Sequence, residues 1–411
     1  MWDNTWKQRK GKRKQDLGST AYLLAETSGQ LEILGTLDMD LFNWNLMFQP
    51  TIFSLPIVGL WPRHDSYQSD LYTLYAVICI SFFMYTNTFL QTINIFIVEM
   101  DLKALAATIF VGEHIVAVLK VSGLLQNLKE IKNLMKQLNS ESFQPKSTSQ
   151  LKMVKEYLRL WRIFYLTYQW GVLALGIFWL TKPILEKSYK DYELPFFAWY
   201  PVDVKTSPFY QIVYLYQCVA LFYIALAHMQ LDLLSTGLMV YIGIQCDILC
   251  DNVTHVTCIP DLVECIIHHK KILRDFNAFI GNIILAQFVS SAVSIALGLF
   301  KLGLTVPGSA EFYTIITFAW IMILELFLYC WFGNEVELKS SNIPAAACNC
   351  NWIGKSIKLQ KMVLFFVMRT QRHMTINAHN LFSLTLRTYM GIMRSSWSYF
   401  AVLRQMNAPQ V

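Results

Sequence analysis

The sequence predicts an all-α, polytopic membrane protein with seven transmembrane helices, a cytosolic N-terminus and an extracellular C-terminus. Of its 411 residues, 55% are hydrophobic and only 15% are charged, against about 25% charged residues in an average soluble domain. Several stretches with little or no charge reach the roughly 20 helical residues that cross a bilayer. Lysine and arginine are concentrated in alternate segments between these stretches, which indicates the orientation of the chain.

Five stretches have so few charges that each predicts a transmembrane helix. In chain order they are residues 71–98, 163–181, 208–229, 276–300 and 312–333. Residues 104–125 and 381–403 are also apolar, but they contain charged side chains and are supported less well by hydropathy. We therefore expect seven spans, with five as the minimum.

The distribution of basic residues predicts which segments face the cytosol. Segments 1–70, 126–160, 230–275 and 334–376 together hold 23 lysines and arginines, whereas the alternate segments hold 7. Cytosolic loops are enriched in these residues, so this topology is opposite to that of a G-protein-coupled receptor. The basic run KQRKGKRK near the N-terminus fits a cytosolic anchor better than a nucleic-acid-binding segment.

Four regions follow from this topology. They are a cytosolic N-terminal segment (1–70), helices one to six (71–333), a cytosolic anchor helix region (334–376), and the seventh helix with its extracellular tail (377–411).

Enzymatic function has no support in the sequence. It contains no Walker loop, dinucleotide fingerprint, HExxH or GxSxG motif. Its nine cysteines are scattered and lack the paired spacing, with nearby histidines, of a zinc site. We therefore expect neither a cofactor nor a bound metal.

Charged residues inside the predicted spans need an explanation, because each costs roughly 2.5–3.5 kcal/mol at the centre of a bilayer. They are Glu113, Lys120, Glu325, Arg387 and Arg394. Glu113 and Lys120 lie seven residues apart, so they share a helix face and could pair with each other or with groups on neighbouring helices. A purely structural contact between helices and a functional site are both open interpretations.

The last span changes character towards its end. Arg387 and Arg394 share one face, and Trp397 and Tyr399 are aromatic residues of the type found at membrane interfaces. A pore-lining helix would have such a polar side. A peripheral helix whose arginines extend to the membrane surface is the alternative interpretation.

Four motifs resemble the insect odorant receptors. PIVGLWP is similar to the element before the first span of that family, and FFAWYPVDVKTSPFYQIVYLYQ to its second outer loop and the start of span four. LYCWFGNEVELKSS resembles the end of span six, and MRTQRHMTINAHNLFSLTLRTYMGIMRSSWSYFAVLRQM the last inner helix and span seven. The resemblance runs from end to end of the chain, and its last region is the most specific.

The resemblance implies a tetrameric, ligand-gated, non-selective cation channel in the plasma membrane of olfactory sensory neurons. In that family a variable tuning subunit joins a shared coreceptor, which has a long insertion after span four. Residues 230–275 leave no room for that insertion, so the chain is expected to be a tuning subunit of a heterotetramer. By motif, Val402 matches the gate and Gln405 the filter, and the candidates for lining the pore are Arg387, Arg394 and Ser398.

The resemblance also implies a pocket for a small, volatile, apolar ligand in the outer halves of spans two, three, four and six. Mapped by topology, the candidate ligand-binding residues are Phe110, Val111, His114, Val172, Leu175, Gly176, Trp179, Tyr210, Tyr214, Gln217, Tyr313, Thr317 and Phe318. Trp179, Tyr214 and Gln217 have polar groups that could bond a ligand oxygen. Packing within the bundle is the alternative role for any of these aromatic residues.

Three alternative functions remain open. A gustatory-type receptor channel shares the inverted topology and span seven, but GLWP and WYPVD favour the odorant type. A G-protein-coupled receptor disagrees with the distribution of basic residues. A solute transporter would be expected to show inverted repeats or broken helices, which the sequence does not indicate.

Overall fold

The structure is a computed structural model of the 411-residue chain that describes residues 41–97, 102–185, 188–192, 194–274, 277–378 and 381–406. The described residues from Asn43 onwards form one compact unit. The first 40 residues of the predicted cytosolic N-terminal segment lie outside the described residues, as do His379 and Asn380 in the motif that ends the chain.

The described residues are helical almost throughout, which confirms the all-α prediction. In chain order the α-helices are α1 (Asn45–Ser54), α2 (Leu71–Cys79), α3 (Asn87–Ile97), α4 (Leu102–Gln126), α5 (Leu128–Gln137), α6 (Thr148–Leu185), α7 (Phe209–Thr254), α8 (Ile259–Arg274), α9 (Asn277–Leu304), α10 (Ala310–Ser341), α11 (Ile343–Asn349), α12 (Ile357–Thr370) and α13 (Leu386–Met406). A π-helical segment, Ile80–Thr86, joins α2 to α3. Two-residue strands, β1 (Asn377–Ala378) and β2 (Phe382–Ser383), pair antiparallel before α13.

Five helical segments among the described residues are long and apolar enough to cross a membrane. They are Leu71–Ile97, Thr148–Thr181, Phe209–Thr254, Ile284–Leu304 and Glu311–Asn349. Each contains or overlaps one of the five charge-poor stretches of the sequence. The two weaker stretches are helical as well, in α4 and α13.

Helix α7 corrects the prediction of a loop over residues 230–275. Its 46 residues correspond to about 69 Å at 1.5 Å per residue, about twice the hydrocarbon thickness of a bilayer. The second half is the most buried part of the fold, with Leu234, Leu238 and Ile242 fully inaccessible. The helix continues past the polar residues Gln230 and Asp232 because neighbouring helices surround it.

The turn before α2 shows how irregular backbone is stabilised next to a membrane span. Backbone carbonyls without water or helical partners are costly there. Four consecutive carbonyls in this turn each accept a tyrosine hydroxyl: Tyr72 donates to Pro56, Tyr75 to Ile57, Tyr223 to Val58 and Tyr67 to Gly59. The motif PIVGLWP is thereby fixed to α2 and α7.

The helix that the sequence predicts as the seventh span begins later than its hydropathy indicates. The sequence predicts a start at residue 381, but Asn377–Ala378 and Phe382–Ser383 form the small antiparallel pair and α13 begins at Leu386. Thr385 starts the helix, since its hydroxyl accepts a hydrogen bond from the backbone N–H of Thr388.

Gly59 is the position in this turn that a larger residue should disturb most. Its φ is +72°, and an added Cβ would lie 2.8 Å from the Cα of Ala76. We expect Gly59→Ala to destabilise the protein by more than the roughly 1–2 kcal/mol of a left-handed residue alone, measured by thermal unfolding of the purified protein. Gly354→Ala is the matched control, because its φ is +78° and an added Cβ meets nothing within 4 Å. Equal effects of the two substitutions would contradict the packing argument.

Candidate functional site

A cavity of about 140 Å³ lies between α4, α6, α7 and α10. These helices contain the predicted spans two, three, four and six. The cavity walls are largely apolar, and its floor holds ionisable side chains. The apolar and aromatic lining includes Phe110, Val172, Leu175, Gly176, Trp179, Phe196, Leu221, Phe222, Phe318 and Met322.

Four aromatic side chains form one wall, with Phe110 of α4 at its centre. The Phe110 ring centroid lies 5.3 Å from that of Trp179, 5.7 Å from Phe196 and 4.7 Å from Phe318. The Trp179 and Phe318 rings are stacked, with centroids 5.9 Å apart. Contacts of this kind add about 0.5–1.5 kcal/mol each to simple burial, so the wall is preorganised.

Phe196 reaches this wall from the loop before α7 and is held there by Gln217. The Gln217 side chain accepts from the Phe196 backbone N–H and donates to the Phe196 carbonyl, at 3.0 Å each. Gln217 also bonds the Tyr200 hydroxyl at 3.0 Å. The loop is therefore fixed to α7, and one of its side chains closes the cavity.

The floor is built around the ammonium group of Lys120, which is completely buried. Lys120 Nζ lies 2.5 Å from Asp232 Oδ1, 3.0 Å from Glu325 Oε1 and 2.5 Å from His228 Nε2. These partners belong to α7 and α10, so Lys120 of α4 connects three helices. Tyr329 donates to Asp232 Oδ1 at 2.6 Å. We refer to Lys120, His228, Asp232, Glu325 and Tyr329 as the ionic cluster.

Glu113 lies beside the ionic cluster and is 7% exposed. Its Oε1 accepts hydrogen bonds from Ser290 at 3.0 Å and Ser294 at 3.3 Å, both on α9. Its Oε2 is buried and has no hydrogen-bond partner among the described residues. Glu113 and Lys120 thus bond different neighbouring helices, which is one of the two arrangements that the sequence left open.

Three side chains at the floor of the cavity have a spacing that is compatible with a metal site. Ligand atoms of Glu113, His228 and Glu325 lie within 4.8 Å of one another, a spacing that could hold a metal ion. The Lys120 ammonium already bonds two of these three side chains. The lysine therefore supplies the positive charge that a metal ion would otherwise bring.

Seven of the thirteen candidate ligand-binding residues line the cavity, and six do not. The seven are Phe110, His114, Val172, Leu175, Gly176, Trp179 and Phe318. The six outside its lining are Val111, Tyr210, Tyr214, Gln217, Tyr313 and Thr317.

Three of the six support residues that line the cavity or lie beside it. Gln217 holds Phe196, and Thr317 Oγ1 accepts from Trp179 Nε1 at 3.3 Å. Tyr214 donates to the Leu180 carbonyl at 2.7 Å. Their polar groups are already bonded to protein, so the expectation that Tyr214 and Gln217 would bond a ligand directly loses its geometric basis.

The other three lie elsewhere. Val111 is buried in the bundle and Tyr210 packs edge-on against Tyr192 at 5.3 Å. Tyr313 is 54% exposed. The Trp179 indole, the third favoured polar group, lines the cavity with its ring while its N–H bonds Thr317.

Several lining residues were missed by sequence reasoning. Asp232 was assigned to a loop, and Phe196 lies in a loop that periodicity cannot place. A signal for Asp232 did exist, because His228 and Asp232 are four residues apart and so share a helix face if the helix continues. Tyr168, Phe222 and Met322 also line the cavity, without any distinguishing sequence pattern.

The predicted pore residues share one exposed face of α13. Arg387 and Gln405 are eighteen residues apart, about five full turns, so they lie at the same angle around the helix axis. All five pore candidates lie within roughly 80° of arc around that axis. All five are exposed in the single chain: Arg387, Arg394, Ser398, Val402 and Gln405.

The opposite face of α13 packs against α9 and α10. Ser396 is buried and donates to the Ala292 carbonyl of α9 at 3.3 Å. Tyr389 packs against Phe327 of α10, with ring centroids 5.6 Å apart. Only one side of the helix is therefore available to other molecules.

Comparison with known proteins relates this chain to one family of receptors. The profile of the family described as 7tm Odorant receptor matches residues 100–397. Odorant receptor 46a, isoform A, of Drosophila melanogaster is 22% identical over 377 residues, covering 86% of this chain and 96% of that protein. Odorant receptor Or1 of Anopheles gambiae is 22% identical over 412 residues, covering 90% and 97%.

The fold is also similar to a solved structure. The insect olfactory receptor OR5 from Machilis hrabei, in complex with eugenol, superposes with a TM-score of 0.78 at 17% identity. The match covers 88% of this chain and 98% of that one.

Lys120 should be essential for stability. Lys120→Met leaves the buried carboxylates of Asp232 and Glu325 uncompensated, which costs about 3–5 kcal/mol. We expect a clear loss of thermal stability in the purified protein. Lys136→Met is the control, since Lys136 forms an exposed ion pair with Asp65 and such pairs contribute little. Equal stability of the two variants would contradict the role assigned to the ionic cluster.

Proposed function

Because the chain belongs to the 7tm Odorant receptor family, we propose that this odorant receptor is the tuning subunit of a heteromeric, ligand-gated, non-selective cation channel. It is a multi-pass membrane protein and a receptor rather than an enzyme. In our proposal the odorant binds in the cavity between α4, α6, α7 and α10, and an insect coreceptor supplies the other subunits of a tetramer in the plasma membrane of olfactory sensory neurons.

The cavity is the observation that carries this proposal. A small-molecule site is expected to be concave, mostly apolar and equipped with a few polar groups, and this one has aromatic walls above an ionic floor. The candidate ligand-binding residues that line it are the ones we retain: Phe110, His114, Val172, Leu175, Gly176, Trp179 and Phe318.

Helix α10 provides a physical connection from the cavity to α13. Phe318, Met322 and Glu325 of α10 line the cavity, and Phe327 of the same helix packs against Tyr389 of α13. Closer to the start of α13, an added Cβ on Gly333 would lie 2.5 Å from the Leu384 carbonyl oxygen. A shift of α10 on odorant binding therefore has to be accommodated by α13.

Gating in this proposal is a population shift. The odorant binds more tightly to the arrangement in which Val402 has left the pore axis, and it can bias gating only through that difference in affinity. The exposed face with Arg387, Arg394, Ser398, Val402 and Gln405 would then line one side of the pore. Four identical faces would place rings of arginines on a cation pathway, which favours a heteromeric channel.

The connection after α7 supports the tuning role. Four residues separate Thr254 from Ile259, which leaves no room for a long insertion there. The proposed topology has seven spans, with α4 and α13 as the two that hydropathy supports less well, the N-terminus in the cytosol and the C-terminus outside.

Odorant-evoked current tests the proposal directly. We expect current in cells that express this chain with an insect coreceptor during pulses of mixed plant and insect volatiles, and no current from this chain alone. The current should persist when guanine-nucleotide signalling is blocked. Loss of the response under that block would contradict a channel mechanism, and current from the chain alone would contradict the tuning role.

A substitution in the cavity tests whether the odorant-evoked current depends on the cavity of this chain. Gly176→Leu adds a side chain towards Phe222, 3.6 Å from the added Cβ, and should reduce the response at least tenfold by filling the cavity. Gly171→Leu, five residues earlier on α6, is the matched control because its added Cβ meets nothing within 4 Å. A normal response in Gly176→Leu would place the odorant elsewhere.

A further inference from the structure

The floor of the cavity contains more hydrogen-bond acceptors than donors. Three carboxyl groups lie there, on Glu113, Asp232 and Glu325, and the cavity is lined by all three. Lys120 supplies one ammonium group, and its three N–H bonds are directed to Asp232, Glu325 and His228. No donor of Lys120 is left for Glu113.

His228 does not correct this imbalance. Its Nε2 lies 2.5 Å from Lys120 Nζ, 3.2 Å from Glu325 Oε1 and 3.4 Å from Asp232 Oδ2. This nitrogen is therefore engaged within the ionic cluster, and among the described residues no hydrogen bond joins His228 to Glu113. Among the described residues the floor therefore combines one ammonium group and one imidazole with three carboxyl groups.

Glu113 is the carboxyl group with remaining capacity. The hydroxyls of Ser290 and Ser294 both donate to Oε1, and Oε2 has no partner among the described residues although the side chain is more than nine-tenths buried. An acceptor left unpaired in a dry site is costly. A ligand that brings a donor to Glu113 would remove that cost.

We propose that the cavity selects a small amphipathic amine, with an aromatic or aliphatic body against the aromatic wall and a primary ammonium group at Glu113. The inference rests on the proposed odorant site and names the chemical class of its ligand. The body fits the wall of Phe110, Trp179 and Phe318, where the ring of an aromatic amine would stack. The ammonium group supplies charge-assisted hydrogen bonds and compensates the excess of carboxyl groups.

Other ligand classes fit the floor less well. An ester, ketone or ether brings only acceptors to a site that already has an unpaired acceptor. An alcohol brings one donor but no charge. A metal ion would compete with the Lys120 ammonium for His228 and Glu325.

Three ligands of the same size test the inference: 2-phenylethylamine, 2-phenylethanol and propylbenzene. Their dissociation constants are measured by direct binding to the purified full-length chain in lipid nanodiscs. We expect the amine to bind at least tenfold more tightly than propylbenzene, with the alcohol between them. Binding does not depend on channel opening, so absence of current with the coreceptor would refute the proposed function without deciding this test.

Glu113→Gln retains an oxygen acceptor for Ser290 and Ser294 but replaces the ionisable carboxyl group with a neutral amide. It should weaken amine binding about tenfold while propylbenzene binding changes less than twofold. Glu130→Gln, on the exposed surface of α5, should change neither. The inference is overturned if propylbenzene binds as tightly as the amine, if Glu113→Gln leaves amine binding unchanged, or if none of the three ligands binds. The ranking on the unsubstituted chain decides the question even if Glu113→Gln fails to fold.

Discussion

The burial of the Lys120 ammonium group determines how closely α4, α7 and α10 approach one another. A charge of this kind is costly in a membrane unless it is paired and fully hydrogen-bonded. Asp232, Glu325 and His228 meet that requirement only if α4, α7 and α10 approach at one level. The same approach fixes the floor of the cavity and the distance between the helices that form its walls.

The aromatic wall and the ionic cluster have complementary effects on recognition. Phe110, Trp179, Phe196 and Phe318 supply area without directional demands, because any apolar body of suitable size can pack against their rings. The carboxyl groups below them are directional and distinguish ligands by their head groups. In the proposed odorant site, affinity and selectivity would thus be separated along the depth of one cavity.

Helix α10 takes part in both steps of the proposed mechanism, namely odorant binding in the cavity and transmission to α13. It contributes Glu325 to the ionic cluster, Phe318 to the aromatic wall and Phe327 to the contact with α13. Packed helices shift between discrete arrangements rather than deform continuously. A ligand that favours one arrangement of α10 therefore has a short mechanical route to the exposed face of α13.

Much of the fold could be predicted from the sequence, because long uncharged stretches such as 71–98 have few alternatives to a membrane helix. The continuation of α7 beyond residue 229 could not, since Gln230 and Asp232 end the hydropathy signal although other helices bury them. The predicted pocket and the observed cavity lie between the same four helices, but hydropathy does not determine rotation about a helix axis. For that reason Tyr214 and Gln217 were expected in the cavity, whereas they bond Leu180 and Phe196.

Photoaffinity labelling can show directly whether the odorant occupies the cavity above the ionic cluster. An activating odorant that carries a diazirine group would be cross-linked to the chain co-expressed with the coreceptor, and the adducts mapped by mass spectrometry. We expect adducts on Phe110, Trp179, Phe222 or Phe318, and competition by the unmodified odorant. Competed labelling confined to the exposed face of α13, or to the coreceptor, would contradict it.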